Sequence, residues 1–485
     1  MPTNVSSSRT RLRRTIILVL VVATATVVAI VLLRSGDESE QRATSVTPFE
    51  LGFADSVYLA DEATRAAWLD RTAELGADLI GVQASWDEIA PLPPQDPTSP
   101  SSAGYEFEAL DGAITAAAAR GLDVVVQLNQ APRWAEGPNR DPSAPPATWK
   151  PSPAALAEFA TALGRRYSGE FDPSGGTLPA VELWQIWGEP NLSTNLTPQW
   201  EAGDGGDVPF SPVHYRAMLN GAYRALNEVN EQNFVVSAGT GPFGDAAEGG
   251  ERLQPASFWR EVFCLDAELE AECTASTSLD ALAHDPYSVG GPFRRALNDD
   301  DVSVADMGKL GAILEAAQET GHTEPASGQE LWVTEVSWDS RPPDPDGVPE
   351  ERHAEWLADA FQLFWHTGVD RVLWFQVRDA APEPSAAASY QSGVFQSDGS
   401  PKPAARAFRF PFSVSTKDAG EVEVWGRAPS AGEVTIERVD ETRSETIASF
   451  ETGASNVFHG GVPANVGEAL RAAVGAERSI VRRVR

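Results

Sequence analysis

The chain is poor in the residues that build metal and redox centres. Its 485 residues include two cysteines, Cys264 and Cys273, and six scattered histidines. No Cys-x-x-Cys, His-x-His or His-Glu-x-x-His occurs, so no metal site is expected and no cofactor is implied. In an oxidising compartment the short loop between Cys264 and Cys273 favours a disulfide. The alternative is two isolated buried thiols. Positive charge is also scarce: 37 basic residues stand against 70 acidic ones, for a net charge of -33. Such a field repels nucleic acid and anionic headgroups, so no nucleic-acid partner is expected. Long apolar runs are absent but for one, and a mean hydropathy of -0.25 excludes a polytopic membrane protein.

The single apolar run is Thr15 to Leu33. At about 1.5 Å per residue it spans roughly 28 Å, the thickness of a hydrocarbon core. Arg9, Arg11, Arg13 and Arg14 precede it, which predicts a cytoplasmic tip and an extracytoplasmic remainder. Residues 1–34 thus read as tip and transmembrane anchor, making the membrane a partner. The alternative is secretion after cleavage near Ala23-Thr24-Ala25, although the apolar run continues past that point. Residues 35–48 are polar and mixed in charge, and read as a tether.

From residue 49 to 411, strand-like runs alternate with helix-like stretches. Strands are expected at Phe49–Phe53, Leu79–Ala84, Asp123–Asn129, Val181–Trp187, Phe234–Gly239, Leu279–Ala283, Leu331–Glu335 and Val372–Val377. They are rich in Val, Ile, Leu and Trp, as strands covered on both faces should be. Helices are expected between them, several closed by glycines such as Gly76, Gly121, Gly321 and Gly368. Eightfold alternation predicts an α/β fold, a (β/α)8 TIM barrel. Residues 412–485 change character. Glu421–Arg427 and Glu433–Val439 alternate apolar and polar, which predicts a small antiparallel, sandwich-like β module that packs or binds carbohydrate.

Two of the strands end in a glutamate among aromatic residues: Trp184-Gln185-Ile186-Trp187-Gly188-Glu189-Pro190-Asn191 and Leu331-Trp332-Val333-Thr334-Glu335-Val336-Ser337-Trp338. Paired carboxylates on rigid strand ends suit cleavage of a glycosidic bond, one as acid and base, the other as nucleophile. Period-two alternation puts Gln185, Trp187 and Glu189 on one face, and Leu331, Val333 and Glu335 on another. Both acids are therefore expected at the barrel mouth. A coincidental surface glutamate is the competing reading of each.

Trp187-Gly188-Glu189-Pro190-Asn191 resembles the Trp-Asn-Glu-Pro-Asn element after the fourth strand of clan A glycoside hydrolases, which include family 5 cellulases and family 39 xylosidases. Trp332 to Trp338 resembles their nucleophile strand. Ser85 to Pro91, Ala131 to Ala135, His284-Asp285-Pro286-Tyr287, Trp374 and Gly393 to Pro403 resemble further elements in matching order. The resemblance implies a retaining glycosidase with Glu189 as acid/base, Glu335 as nucleophile and an oligo- or polysaccharide as substrate. The substrate contacts it implies are Trp86, Asn129, Trp134, Trp187, Asn191, His284, Tyr287, Trp338 and Trp374. For the tryptophans the alternative is core packing, expected of Trp184 and Trp332, which should face the helices. For His284 the alternative is a structural backbone bond. Gly188 replaces the family's asparagine, and Gly81 stands where an arginine often lies near the nucleophile. Loss of that arginine should make Glu335 a poorer anion. A weakened, non-hydrolytic carbohydrate-binding barrel is therefore the rival expectation. Asn191-Leu192-Ser193 and Asn195-Leu196-Thr197 match glycosylation sequons. Sugar, linkage and oligomeric state stay open.

Overall fold

The computed structural model describes residues 49–485 apart from 174, 204, 246–248, 419, 441–442 and 454. The expected anchor at residues 1–34 and the tether at 35–48 lie outside the described residues. Among the described residues, no helix is long and apolar enough to cross a membrane.

Eight parallel strands close into a barrel: β1 (Glu50–Ala54), β2 (Leu79–Ser85), β3 (Asp123–Asn129), β4 (Leu183–Ile186), β5 (Phe234–Val236), β6 (Ala281–His284), β7 (Glu330–Val336) and β8 (Arg371–Phe375). Each strand pairs with its sequence neighbour, and β8 returns to β1. The helices around it are α1 (Glu62–Glu74), α2 (Glu108–Ala118), α3 (Pro153–Arg166), α4 (Ser211–Val229), α5 (Pro255–Phe263), α6 (Gly308–Glu319), α7 (Glu350–Thr367) and α8 (Pro403–Arg409). Their ends follow local chemistry. The Asp61 carboxylate accepts from the Ala63 and Thr64 amides at the start of α1, and Ser152 and Pro153 open α3. Gly368 ends α7 with φ 78°, a left-handed conformation that glycine adopts without penalty. The eight strands lie within a few residues of their expected ranges, except that β4 and β5 stop short of Trp187 and Gly239.

The barrel interior is filled by Leu79, Val125, Val236, Ala281, Ala283, Trp332 and Leu373. Trp332 thus points inward, not toward the helices as expected. It stacks on Phe234 and lies under the Arg371 guanidinium, 4.7 Å from its ring centre. Leu331 and Val333 take the outward face instead. Trp184 does pack among the helices, where its Nε1 donates to Asn233. Arg371 also bonds Glu50 and Glu330, so an ion-paired triad closes the N-terminal end of the barrel. The C-terminal end is the open one.

Cys264 and Cys273 form a disulfide in the loop after α5. Beyond α8, β9 (Phe412–Asp418), β10 (Glu421–Arg427) and β13 (Val457–Pro463) form one antiparallel sheet. A second is built on β11 (Glu433–Val439), β12 (Ser444–Glu451) and β14 (Ala469–Val474). Trp425 meets Phe49 edge-on, and Arg427 pairs with Asp78 at 2.7 Å. Phe49 and Asp78 precede β1 and β2, so this part of the module docks at the closed end of the barrel, while Arg482 and Arg485 at its end pair with Asp359 and Glu355 along α7.

Candidate active site

Glu189 and Glu335 reach the mouth, but strict alternation is not what brings them there. The chain leaves β4 at Ile186, and Trp187 and Glu189 adopt φ of 74° and 40°. This left-handed turn buries Trp187 in the helix layer and turns Glu189 the other way, where its charge acts on Glu335 and Asp285. Non-glycine residues adopt such angles only where surrounding contacts enforce them. Here the Trp187 amide donates to the Leu128 carbonyl, and the Glu189 amide to the Gly239 carbonyl. On β7, the partners of Val333 and Val336 on β8 are Val372 and Trp374, so β7 carries one extra residue. That bulge lets both Thr334 and Glu335 line the mouth cavity.

Both glutamates are half-buried, with protein around them on nearly every side, and Glu335 lines the mouth cavity. Burial raises Glu189 to about 7, with a weak contact from Asn195 Nδ2 at 3.5 Å opposing the shift. Burial, then the charge of Glu189, raises Glu335 to about 8, against a hydrogen bond from the Tyr287 hydroxyl at 3.1 Å. Glu335 is the poorer anion foreseen from Gly81. Burial is the larger cause in both shifts, and Glu335 is raised further by the charge of Glu189.

A third carboxyl, Asp285, lies fully buried beside them. Burial and the charges of Glu335 and Glu189 push it well above the usual range. It accepts a 2.7 Å bond from Thr334 Oγ1. Behind Thr334 the chain of bonds continues: Gln185 Nε2 donates to Thr334, and Gln127 Nε2 to Gln185 Oε1. A β-carbon on Gly239 would lie 2.2 Å from Asp285 Oδ1, so position 239 admits no side chain without movement. Among the described residues, no group of His, Cys, Asp and Glu is arranged to hold a metal ion.

The remaining expected contacts divide sharply. Tyr287 joins Glu335 as described. Asn129 stands half-buried at the end of β3, its Oδ1 accepting from the Gln130 amide. A β-carbon on Gly188 would meet Asn129 Nδ2 and Gln127 Nε2, both at 3.2 Å, so neighbouring amides crowd the space of the missing asparagine side chain.

Several contacts are corrected. Trp86 is fully buried, stacked on Phe159 at 5.4 Å. Trp187 is fully buried and donates to the Asn195 carbonyl. Trp374 is fully buried against Trp338, His353 and Phe361. Trp338 is buried as well, its Nε1 donating to the Ser288 and Gly290 carbonyls. None of these four rings offers a face to a sugar. Only Trp134 is partly exposed, in a separate open cavity with Lys150, Phe210 and His214.

His284 is fully buried between Thr240 Oγ1 and the Val302 carbonyl, and burial lowers it to about 4. It touches neither glutamate, so the structural-bond alternative describes it. Asn191 is fully buried, bonding the Gly241 amide and carbonyl and the Leu253 carbonyl. It therefore offers neither a sugar contact nor a glycosylation site. Reasoning from sequence missed Asp285, Gln127 and Gln185, and also Gln376 and Tyr390, which line the same cavity as Glu335. The two glutamines at inward positions of apolar strands were detectable, since a polar residue there must find a partner. Tyr390 lies on a loop and gave no periodic signal.

No protein-family model and no curated protein sequence matches this chain. Solved structures do. A family 39 glycoside hydrolase from the gut symbiont Bacteroides cellulosilyticus WH2 aligns at 16% identity over 86% of this chain and 81% of its own, with a TM-score of 0.52. A glucosidase from Croceicoccus marinus aligns at 15% identity over 89% and 97%, with a TM-score of 0.51. A monomeric beta-xylosidase from Caulobacter crescentus CB15 aligns at 15% over 88% and 96%, with a TM-score of 0.50. At such identities the likeness establishes a shared fold, the barrel seen in these glycoside hydrolases.

Proposed function

We propose that the chain is a retaining glycoside hydrolase that cleaves O-glycosidic bonds of an extracellular glycan by double displacement. One observation carries this reading: two carboxyls from distant parts of the chain interact across the open end of the barrel, each driven toward neutral pH by burial. Over a range near neutrality such a pair holds one proton between its members, the state that one ionised nucleophile and one protonated acid require. Burial and the neighbouring charge favour the shared proton on Glu335, whereas the reaction needs it on Glu189; the Tyr287 hydroxyl, donating to Glu335 at 3.1 Å, favours the arrangement the reaction needs. In the first step Glu335 attacks the anomeric carbon while Glu189 gives its proton to the departing oxygen. In the second, Glu189 takes a proton from water, which attacks the same carbon and frees Glu335. The family 39 enzyme, the glucosidase and the xylosidase named above support a carbohydrate substrate.

A second reading draws on a specific observation. The groups acting on Glu335 are its burial, Glu189 and Tyr287, with no cation among them. A nucleophile kept largely protonated suits a barrel that binds glycans with little turnover. Release of sugar from a panel of aryl glycosides and cell-wall polysaccharides decides between them. The hydrolase reading expects turnover that falls by at least about 10²–10⁴-fold in Glu189→Gln and in Glu335→Gln. Unchanged turnover in both variants removes these residues from the mechanism, and glycan binding without turnover supports the second reading.

Residues 15–33 support an anchor that leaves the barrel outside the cell, with cleavage and secretion as the alternative. Fractionation and protease accessibility of the full chain in bacterial cells test this. Recovery in the soluble cytosol would exclude both.

A further inference from the structure

The cavity against Glu335 has a volume of about 340 Å³, at the small end for ligand sites of roughly 300–1,000 Å³. Its polar lining is unusual. Gln83, Gln127 and Gln185 stand at one register level on β2, β3 and β4. Gln376, just past β8, closes the ring from the other side. No lysine or arginine is among the described residues that line it, whereas Asp55 and Glu335 are. The amides of Gln127 and Gln185 are fixed by the bonds that run to Thr334 and Asp285. Gln376 is only 8% exposed, and its side-chain carbonyl has no hydrogen-bond partner. A buried acceptor left unpaired is costly, so such a group is usually explained by what binds beside it. Gly81 keeps the floor open, since a β-carbon there would sit 3.1 Å from Leu373 Cδ1. Tyr390, 61% exposed, forms one wall and stands edge-on to Phe375, which is edge-on to Tyr287.

We infer that this cavity is a subsite for one neutral glycosyl unit, held by the glutamine ring through its hydroxyls and covered by the Tyr390 ring, and that it rejects uronic acids. Amides donate to and accept from hydroxyl groups, and each hydroxyl does both. A sugar hydroxyl gives the Gln376 carbonyl the donor it lacks. A uronate carboxylate would enter a buried space holding acidic groups and no cation, an arrangement that costs affinity. Tyr390 supplies the exposed aromatic face that the buried tryptophans do not. The inference rests on the glycosidase reading for its substrate class but not for its test.

The test is binding, not turnover. The full chain is titrated with the methyl β-glycosides of glucose, galactose and xylose, and with methyl glucuronide and methyl galacturonide, by ligand-observed NMR. At least one neutral glycoside should bind tenfold or more tightly than its uronide. Tyr390→Ala, at an exposed position, and Gln376→Leu should each weaken it about tenfold. Gln83→Lys should narrow or reverse the preference by adding the missing cation. Uronides that bind as well as neutral sugars, absence of binding by every neutral glycoside, or affinities unchanged in both weakening variants would overturn the proposal. A neutral preference that persists in a protein without glycosidase activity would sink the hydrolase reading and leave the subsite standing.

Discussion

At the scale of single residues, two titrations follow from the buried glutamates. The active form holds one proton on the pair, so kcat/KM should rise as the first proton leaves and fall as the second does. With apparent values of about 7 and about 8, the acid limb should lie near pH 7. A limb at pH 4–5 would show carboxyls in ordinary surroundings. Stability should carry the same signature. The folded values lie above the usual value of 4.5, so the contribution to stability is complete below about pH 4.5 and is lost as pH rises through 7 and 8. Glu335→Gln removes the charge that is costly to bury. It should stabilise the fold by roughly 1–3 kcal/mol at pH 9 and by close to nothing at pH 4, measured by denaturant unfolding. Equal effects at both pH values would contradict the assignment.

At the scale of elements, two short irregularities deliver the site: the left-handed turn after β4 and the extra residue in β7. The packing around them is close, as Gly239 shows. Gly239→Ala would set a methyl against the Asp285 carboxyl and should cost about 1–3 kcal/mol, with a loss of turnover as Thr334 and Glu335 shift. A variant that keeps both stability and turnover would mean that the turn has more room than the contacts indicate. These irregularities also mark where the sequence was legible. Eight strand–helix repeats were readable because apolar runs of Val, Ile and Leu, followed by capped amphipathic stretches, depend on local pattern alone. The motifs around Glu189 and Glu335 were readable because aromatic and polar neighbours cluster there, and the structure brings these two acids into interaction. The inward face of Trp332 and the burial of Trp187 were not, since both depend on where a strand ends or bulges. Asp285 stood next to the histidine that drew attention, although it is the aspartate that meets Thr334.

At the scale of the whole molecule, the C-terminal module braces the barrel at its closed end and along the flank of α7. Arg482 pairs with Asp359 of α7 at 2.8 Å, both side chains almost wholly buried, and Ser413 bonds the same carboxylate. Arg482→Ala leaves that carboxylate without its cation and should cost about 3–5 kcal/mol, with kcat of the folded fraction unchanged. A fall in kcat without loss of stability would tie the module to the chemistry. The proposed double displacement requires the barrel to bring two carboxyls 146 positions apart in sequence to one sugar, with Glu335 forming the bond. Incubation with a neutral 2-deoxy-2-fluoro aryl glycoside, followed by peptide mass mapping, tests this most directly. The account predicts a gain of one glycosyl unit on the peptide that contains Glu335, absent in Glu335→Gln. An adduct on another residue, or steady hydrolysis with no adduct at all, would contradict it.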